Sequence, residues 1–410
     1  MKICDIAQFY SPLSGGVKRY LMDKQRSLAA RPGAHHVLVV PSHRDAVTRT
    51  AASTLHEIRS PRLPGSHSYR LLIARRRILD IARAEQPDLI EVGDPYRTAW
   101  IGLEAGREIG VPVVAFYHSD FPRAIGRTIR RFAGDTIQRW ISGPVQRYVA
   151  RLYNRMDATV VSTRRLELIL GACGIERLVQ VPLGTDLRTF RPRGSRERVR
   201  AELGLPGEAR LLLFVGRLAR EKNIRHLVAA LDHIGPDAAA HRLVLVGDGE
   251  LRPFVEREAG RRANLLWLPY CESGQKLAEL YSAADLFVHP GRYETFGLVA
   301  IEAQACGTPV LVVREGGVEE AIEGEASPII ARDGSPFALG RAIAQFLHVG
   351  DTQQARAARR QRIQRHHCGE RTFDRMLALY EHLIARRPVS AFAPPPPLSH
   401  ELPSSTLSSR

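Results

Sequence analysis

The sequence predicts an α/β protein made of two successive open sheets with parallel strands, and three observations lead there. The chain has 410 residues, too many for one ordinary core, so two domains are expected. Short, continuous apolar runs alternate with helical stretches, the pattern of strands buried on both faces. The alternation stops in a stretch rich in Pro, Gly and charge, and then begins again.

In the first half, apolar runs fall at 2–7 (KICDIA), 36–40, 88–92, 112–117, 158–162 and 178–181, with helical stretches such as 17–30 and 68–85 between them. The interruption covers 182–209. The second series has runs at 210–215 (RLLLFV), 242–246, 264–268, 285–289 and 309–313. Its helices are expected near 223–233, 251–260, 274–284 and 298–306. Amphipathic, arginine-rich helices follow at 335–347 and 351–386. The domain expectation is 1–185 and 186–370, a last helix over 371–387, and a tail over 388–410. That tail contains PPPP and is rich in Ser, so it is expected to be disordered.

Composition narrows the class. Hydrophobic content of 44% and charged content of 25% are those of a globular protein. No run of 18 or more apolar residues suggests a membrane span. The start, MKICDIAQFYSPLSGG, reads as a first strand and not as a signal peptide. Five scattered cysteines without a C-x-x-C pair support neither a disulfide framework nor structural zinc, and fit a reducing cytoplasm. The net charge is +16, and of 59 basic residues only five are Lys. Residues 121–155 hold eight Arg and one acid, Asp135, a stretch suited to an anionic partner.

In open α/β sheets ligands bind beyond the carboxyl ends of strands, which selects four places. Gly15-Gly16, in QFYSPLSGGVKRY, opens a helix after the first strand, where backbone N–H groups can approach a phosphate or sugar; an ordinary tight turn is the plainer reading. In VGRLAREKNI, Arg217 and Lys222 lie five apart across a turn and suit a diphosphate clamp, Arg pairing bidentately and Lys acting as a point charge. VGDGELR (246–252) has G-x-G after a strand, but Arg252 stands where a dinucleotide fingerprint has Gly. A dehydrogenase is therefore disfavoured, and the absence of G-x-x-x-x-G-K-[ST] disfavours a P-loop NTPase.

The fourth place is HPGRYETFGLVAIEAQACGTPV, 289–310. A loop after a strand leads into a helix beginning at Leu298, so the N–H groups of Phe296, Gly297, Leu298 and Val299 are free donors for an anion. Glu302, about one turn in, is a poor phosphate ligand but can accept hydrogen bonds from vicinal hydroxyls such as those of ribose. Glu294 in the loop can take the hydroxyls of a hexose. The alternative for Glu302 is simple complementation of the helix dipole.

These residues resemble a known family. ETFGLVAIE, with Glu294 and Glu302 as an E-x7-E pair, is similar to the donor motif of the family 4 retaining glycosyltransferases, and VGRLAREKNI to their diphosphate clamp. SGGV (14–17), YHSD (117–120) and VPLGTDLRTF (181–190) fall where that family has its acceptor loop, central histidine and interdomain linker. The likeness covers about residues 1–385. It implies a GT-B fold, two Rossmann-like domains facing across a cleft, with the last helix crossing back to the first domain.

Carried over, the resemblance gives Arg217 and Lys222 the donor diphosphate in place of a metal, Glu302 the ribose and Glu294 the donor sugar. It places the amides around Phe296-Gly297-Leu298 on the diphosphate or sugar, and Gly15-Gly16 near the phosphate and acceptor. His118 reaches the donor sugar from the first domain, and Asp120 is the acceptor-side candidate. No cofactor or metal is expected. The implied reaction moves a hexose, mannose or glucose, from a nucleoside-diphosphate sugar to a hydroxyl of a glycan or lipid acceptor, with same-face attack. GDP-mannose is favoured over UDP-glucose as donor.

The expected location is cytoplasmic, peripheral at the inner face of a membrane if 121–155 meets an anionic surface through Ile125, Ile129, Phe132, Ile137, Trp140 and Ile141 beside its arginines. Nucleic acid is not expected as a partner of the enzyme. Two other readings compete: a membrane- or nucleic-acid-binding protein with an α/β scaffold, and a GT-B sugar-nucleotide epimerase.

Overall fold

The computed structural model describes residues 1–10, 16–63, 69–118, 143–205, 207–235 and 240–393. The strands β1 (Lys2–Ile6), β2 (His35–Ser42), β3 (Ala46–Arg49), β4 (Ser53–Arg59), β5 (Leu89–Val92), β6 (Val113–Phe116), β7 (Ala158–Val161) and β8 (Leu178–Gln180) form one sheet. Its order is β3-β4-β2-β1-β5-β6-β7-β8. The second sheet comprises β9 (Arg210–Val215), β10 (His241–Val246), β11 (Leu265–Leu268), β12 (Leu286–Val288), β13 (Val310–Val313) and β14 (Ile329–Ala331), in the order β11-β10-β9-β12-β13-β14.

Every apolar run named from the sequence is a strand, and the pairing is parallel except at one edge, where β3 runs antiparallel to β4. Parallel strands must be covered on both faces, which is why β5, β6, β7 and β13 are buried at every residue. The order reverses around β1, between β2 and β5, and around β9, between β10 and β12. These are the topological switch points where such sheets leave a crevice. The turns after residues 6 and 215 leave the two sheets at these points.

Several elements have no counterpart in the sequence reading: β3, β4, β14 and the helices Arg97–Ile109, Arg164–Ala172 and Arg196–Glu202. β4 (STLHEIR) has only two apolar residues, Leu55 and Ile58, and lacks an apolar run. The stretch expected as one helix over 351–386 is two, Gln353–His366 and Gly369–Ile384. The break is where the chain crosses the linker. The Thr185 N–H donates to the His367 carbonyl, and the Gly369 N–H to that of Thr185. A Cβ on Gly184 would lie 2.5 Å from Cys368 C, so only Gly permits this crossing.

Beyond the break, the helix Gly369–Ile384 packs on the first sheet's side: Phe373 against Tyr20 at 5.7 Å, Arg31 on Asp374, and Tyr380 on Glu91. One apolar cluster runs from Ile3 and Phe116 through Phe373 and Tyr380 to Leu213 and Ala300, joining the two domains. The disorder expected from 388 does not hold for 388–393. Val389–Ala391 forms a short 3-10 turn, and the Phe392 ring lies 5.5 Å from that of His382, because Val389 and Phe392 find apolar surface to cover. Residues 394–410 lie outside the described residues.

Beneath the first switch point lies a buried charge network. Lys24, 1% exposed, places its ammonium 2.9 Å from Asp5 and 3.0 Å from Glu91. His36 Nε2 lies 2.6 Å from Asp5, and the Tyr20 and Tyr380 hydroxyls donate to Glu91. Burial pushes the Glu91 carboxyl up, to about 7. Burial acts the same way on Asp5, but Lys24 and His36 hold it far below its usual range. The network pins the helix Gly16–Ala29 to β1, β5 and the last helix. Removing one partner of a buried pair leaves an uncompensated charge, so Lys24→Met is expected to cost about 3–5 kcal/mol. Urea unfolding will measure that loss, and Lys24→Met combined with Asp5→Asn is expected to recover part of it.

Candidate active site

The site assembles where the first-domain turns meet the loop 289–297. β12 delivers His289, buried at 2% exposure, and the loop continues to Gly297, which has φ of +84° and precedes the helix Leu298–Ala305. A Cβ at Gly297 would come within 2.8 Å of Val318, so both conformation and space require glycine there. No side chain caps this helix, and its first amides remain an anion site.

The structure brings most of the candidate residues together. Lys222 bonds to the carboxylate of Glu294, and His289 Nε2 lies 3.6 Å from the same oxygen. Burial would raise the Glu294 carboxyl, but Lys222 and His289 hold it well below the usual carboxylate range. It is therefore ionised across the physiological range. Thr295 Oγ1 donates to the His118 carbonyl at 2.9 Å, joining the loop to the end of β6. A Cβ placed on Gly16 would be 3.9 Å from Leu298 Cδ1, so the first-domain helix start faces the second-domain helix start. Gly15 and Asp120 lie outside the described residues.

His118 stacks on Phe116 at 4.2 Å and meets the edge of Tyr20 at 4.8 Å. Desolvation, with Lys24 adding to it, pushes the imidazole down to about 3. It is neutral at physiological pH, and one ring nitrogen can donate while the other accepts. Gly93, whose Cβ would sit 3.1 Å from His118 Cδ2, leaves the ring its place. The recess beside it is lined by Gln8, Phe9, Val17, Asp94 and His118. Asp94 is fixed by the Thr98 hydroxyl at 2.8 Å and the Tyr96 N–H at 3.2 Å, and burial raises its carboxyl to about 6.

Glu302 is buried, and Tyr281 Oη donates to its Oε2 at 3.1 Å. Arg217 lies in the turn after β9, paired with Glu221 at 2.5 Å, and its guanidinium stands 5.9 Å from the Tyr69 ring of the first domain. Phe296 is buried, with its ring 5.7 Å from His367. It anchors the loop through its side chain, leaving only backbone for ligand. VGDGELR serves packing: a Cβ on Gly247 would lie 2.0 Å from Gly216 O, and one on Gly249 2.6 Å from Leu218 O. These glycines let the turn after β10 press against the turn that carries Arg217.

The sequence reading missed His289, Asp94 and Tyr281. His289 ends a strand just as His118 does, so the rule that selected one selects the other. Asp94 follows β5 with Gly93 in the same way. Tyr281 had no signal, since its hydroxyl meets Glu302 only through helix packing.

Comparisons with known proteins show the family and the fold. Residues 14–189 match the family described as Glycosyltransferase Family 4, and residues 195–364 match Glycosyl transferases group 1. A GDP-mannose-dependent alpha-(1-6)-phosphatidylinositol dimannoside mannosyltransferase of Mycobacterium tuberculosis is 30% identical over 364 residues, 88% of this chain and 91% of that protein. A GDP-mannose-dependent alpha-mannosyltransferase of the same organism is 29% identical, covering 95% of this chain and 99% of the relative. Among solved structures, sucrose-phosphate synthase from Thermosynechococcus elongatus superposes with a TM-score of 0.75 at 24% identity, covering 94% of this chain and 99% of that one. With both halves matched and the two sheets facing across the site, the chain belongs to the family 4 glycosyltransferases and has the GT-B fold.

Proposed function

We propose that this glycosyltransferase transfers mannose from GDP-mannose to a hydroxyl of a lipid-borne or glycan acceptor, with retention of configuration and with fixed cations in place of a metal at the leaving group. The observation that carries the donor site is the convergence of Lys222, Glu294, Glu302 and the uncapped Leu298–Ala305 helix on one cleft wall. The choice of GDP-mannose is supported by the names of the two mycobacterial relatives. Neither the scaffold reading nor the epimerase reading is favoured by family matches through both halves.

In this reading the diphosphate sits at the helix N-terminus with Arg217 and Lys222. As the glycosidic bond breaks, charge grows on the β-phosphate, and these donors stabilise it without reorganising. Glu294 accepts hydroxyls of the sugar, and Glu302 those of the ribose. Neutral His118 hydrogen-bonds the sugar from the opposite wall. The acceptor hydroxyl attacks from the face the diphosphate leaves, and its proton passes to the departing phosphate oxygen. A cytoplasmic location with the arginine-rich 121–155 stretch toward an anionic membrane fits a lipid-borne acceptor. Residues 121–142 lie outside the described residues, and no described helix is long and apolar enough to cross a membrane.

A thermal-shift panel of nucleotide sugars is expected to show stabilisation by GDP-mannose above UDP-glucose, followed by GDP release when a phosphoinositol mannoside acceptor is added. Glu302→Ala is expected to abolish the shift. Stabilisation by no nucleotide sugar, or a Glu302→Ala protein indistinguishable from wild type, defeats the proposal.

The position of Glu294 also depends on Gly317, where a Cβ would fall 1.5 Å from the Glu294 carbonyl oxygen. Gly317→Ala must displace that backbone, and a displacement of about 1 Å lowers kcat/KM on the order of 100-fold. Gly207→Ala, at a position with nothing within 4 Å, serves as the control and is expected to leave the steady-state kinetics unchanged.

A further inference from the structure

We propose that Arg19 is a positioning residue for donor binding: it reaches from the first domain into the second and keeps the Glu302 carboxylate charged and oriented for the hydroxyls of the donor ribose. The inference rests on the ribose role given to Glu302 above.

Arg19 lies in the first turn of the helix Gly16–Ala29, yet its guanidinium is surrounded by the linker and the second domain. Its centre is 5.3 Å from the Phe190 ring, and Nη2 is 4.0 Å from Glu302 Oε1. Nη1 is 3.9 Å from where Gly274 would carry a Cβ. Gly274 opens the helix Gly274–Ala283, so Arg19 lies against the start of that helix. The same helix supplies Tyr281, whose hydroxyl takes Glu302 Oε2. The two carboxylate oxygens are thus addressed from different domains, one by a phenol and one by a cation.

The charges around Glu302 explain why the cation matters. Arg19 and Asp23 face it from the first-domain helix, Tyr281 from the helix Gly274–Ala283, Tyr270 from the chain after β11, and Cys306 from the end of its own helix. Of these only Arg19 is positive. Burial raises the Glu302 carboxyl, Arg19 and the Tyr281 hydroxyl pull it down, Asp23 works against them, and the balance leaves it at about 7. A carboxylate accepts two hydroxyls only when ionised, because the protonated acid turns one oxygen into a donor. Glu302 lies beyond the first residues of its helix, where the helix dipole has largely faded, so the ionised form depends on Arg19. A partly exposed ion pair at this distance contributes little to folding, and a merely structural role predicts no change in how donor binding depends on pH.

The experiment titrates GDP and 2′,3′-dideoxy-GDP into wild type, Arg19→Ala, Arg19→Lys and Glu302→Gln by calorimetry across pH, with thermal unfolding to confirm that each variant folds. Wild type is expected to prefer GDP above about pH 7, with the preference lost as Glu302 takes a proton below it. Removing Arg19 removes a charge that lowers the Glu302 pKa, so Arg19→Ala is expected to move that midpoint upward by about 1 pH unit or more and to regain the wild-type preference above it. Arg19→Lys is expected to fall between the two. An Arg19→Ala midpoint equal to wild type, or a loss of affinity equal for both nucleotides at every pH, overturns the proposal. Glu302→Gln is expected to show no preference at any pH. If it prefers GDP as wild type does, the ribose assignment itself fails, whatever Arg19 does.

Discussion

The hydrogen bond from Thr295 Oγ1 to the carbonyl of His118, at 2.9 Å, crosses the mouth of the cleft, and the geometry of the site depends on it. It sets the end of β6 against the loop that carries Glu294, and so fixes the distance between the walls. Its neighbours across the mouth are few and polar: the Ser162 hydroxyl on the Thr295 carbonyl at 3.4 Å, and the Glu320 carboxylate on the Arg164 and Arg165 amides at 2.9 and 2.7 Å. Each such bond contributes roughly 1 kcal/mol. The apolar core that joins the domains through the helix Gly369–Ile384 is far more extensive. The two regions therefore differ in strength: a strong apolar junction at the back and a light polar clasp at the front.

The residues proposed to hold the donor are also paired with other side chains of the protein. Lys222 holds Glu294, Arg217 holds Glu221, and Tyr281 with Arg19 holds Glu302. A buried charge without a partner is costly, and Lys222 supplies one for Glu294 as Arg19 does for Glu302. On the proposed function, donor entry is an exchange of partners. The diphosphate takes Lys222 and Arg217, the freed Glu294 takes sugar hydroxyls, and Arg19 stays on Glu302. A ligand with phosphates but no sugar would release Lys222 and leave Glu294 to His289 alone, whereas the complete donor supplies partners for both members of the pair.

Much of this was legible in the sequence because it lies close to the strand pattern. Continuous apolar runs gave β1, β2, β5 to β13 and the restart at 210, strand-end turns gave Arg217, Lys222, Glu294 and Glu302, and the family resemblance gave His118. What was not legible depends on contacts far apart in the chain. Arg19 looked like any helix arginine, because nothing in SGGVKRY says that its partner is 283 residues away. The break at His367-Cys368 has no Pro or obvious turn signal before Gly369 and arises from the crossing at Thr185. The helix Arg97–Ile109 was obscured by Gly102 and Gly106, which are poor helix formers. Their added Cβ atoms would lie 2.5 Å from Val92 and 2.3 Å from Val113, so close packing on the sheet, and not propensity, decides that helix.

The net charge of +16 invites the same distinction between local pattern and tertiary use. Part of it serves the interior. In the helix Gln353–His366, Arg360 donates to the Ala305 carbonyl at 2.6 Å, and Arg359, 6% exposed, to that of Gly307 at 2.8 Å while it pairs with Glu325 and Asp351. Arg362 reaches the carbonyls of Glu323 and Ala321. Ala305 ends the helix that begins at Leu298, so cations gather at the carboxyl end of the helix whose amino end faces the cleft. A helix carries partial negative charge at its last carbonyls and partial positive charge at its first amides. Neutralising the first leaves the second to act on whatever anion enters. Arginines of a stretch that reads from sequence only as amphipathic and arginine-rich thus favour the anion from behind, through eight residues of backbone.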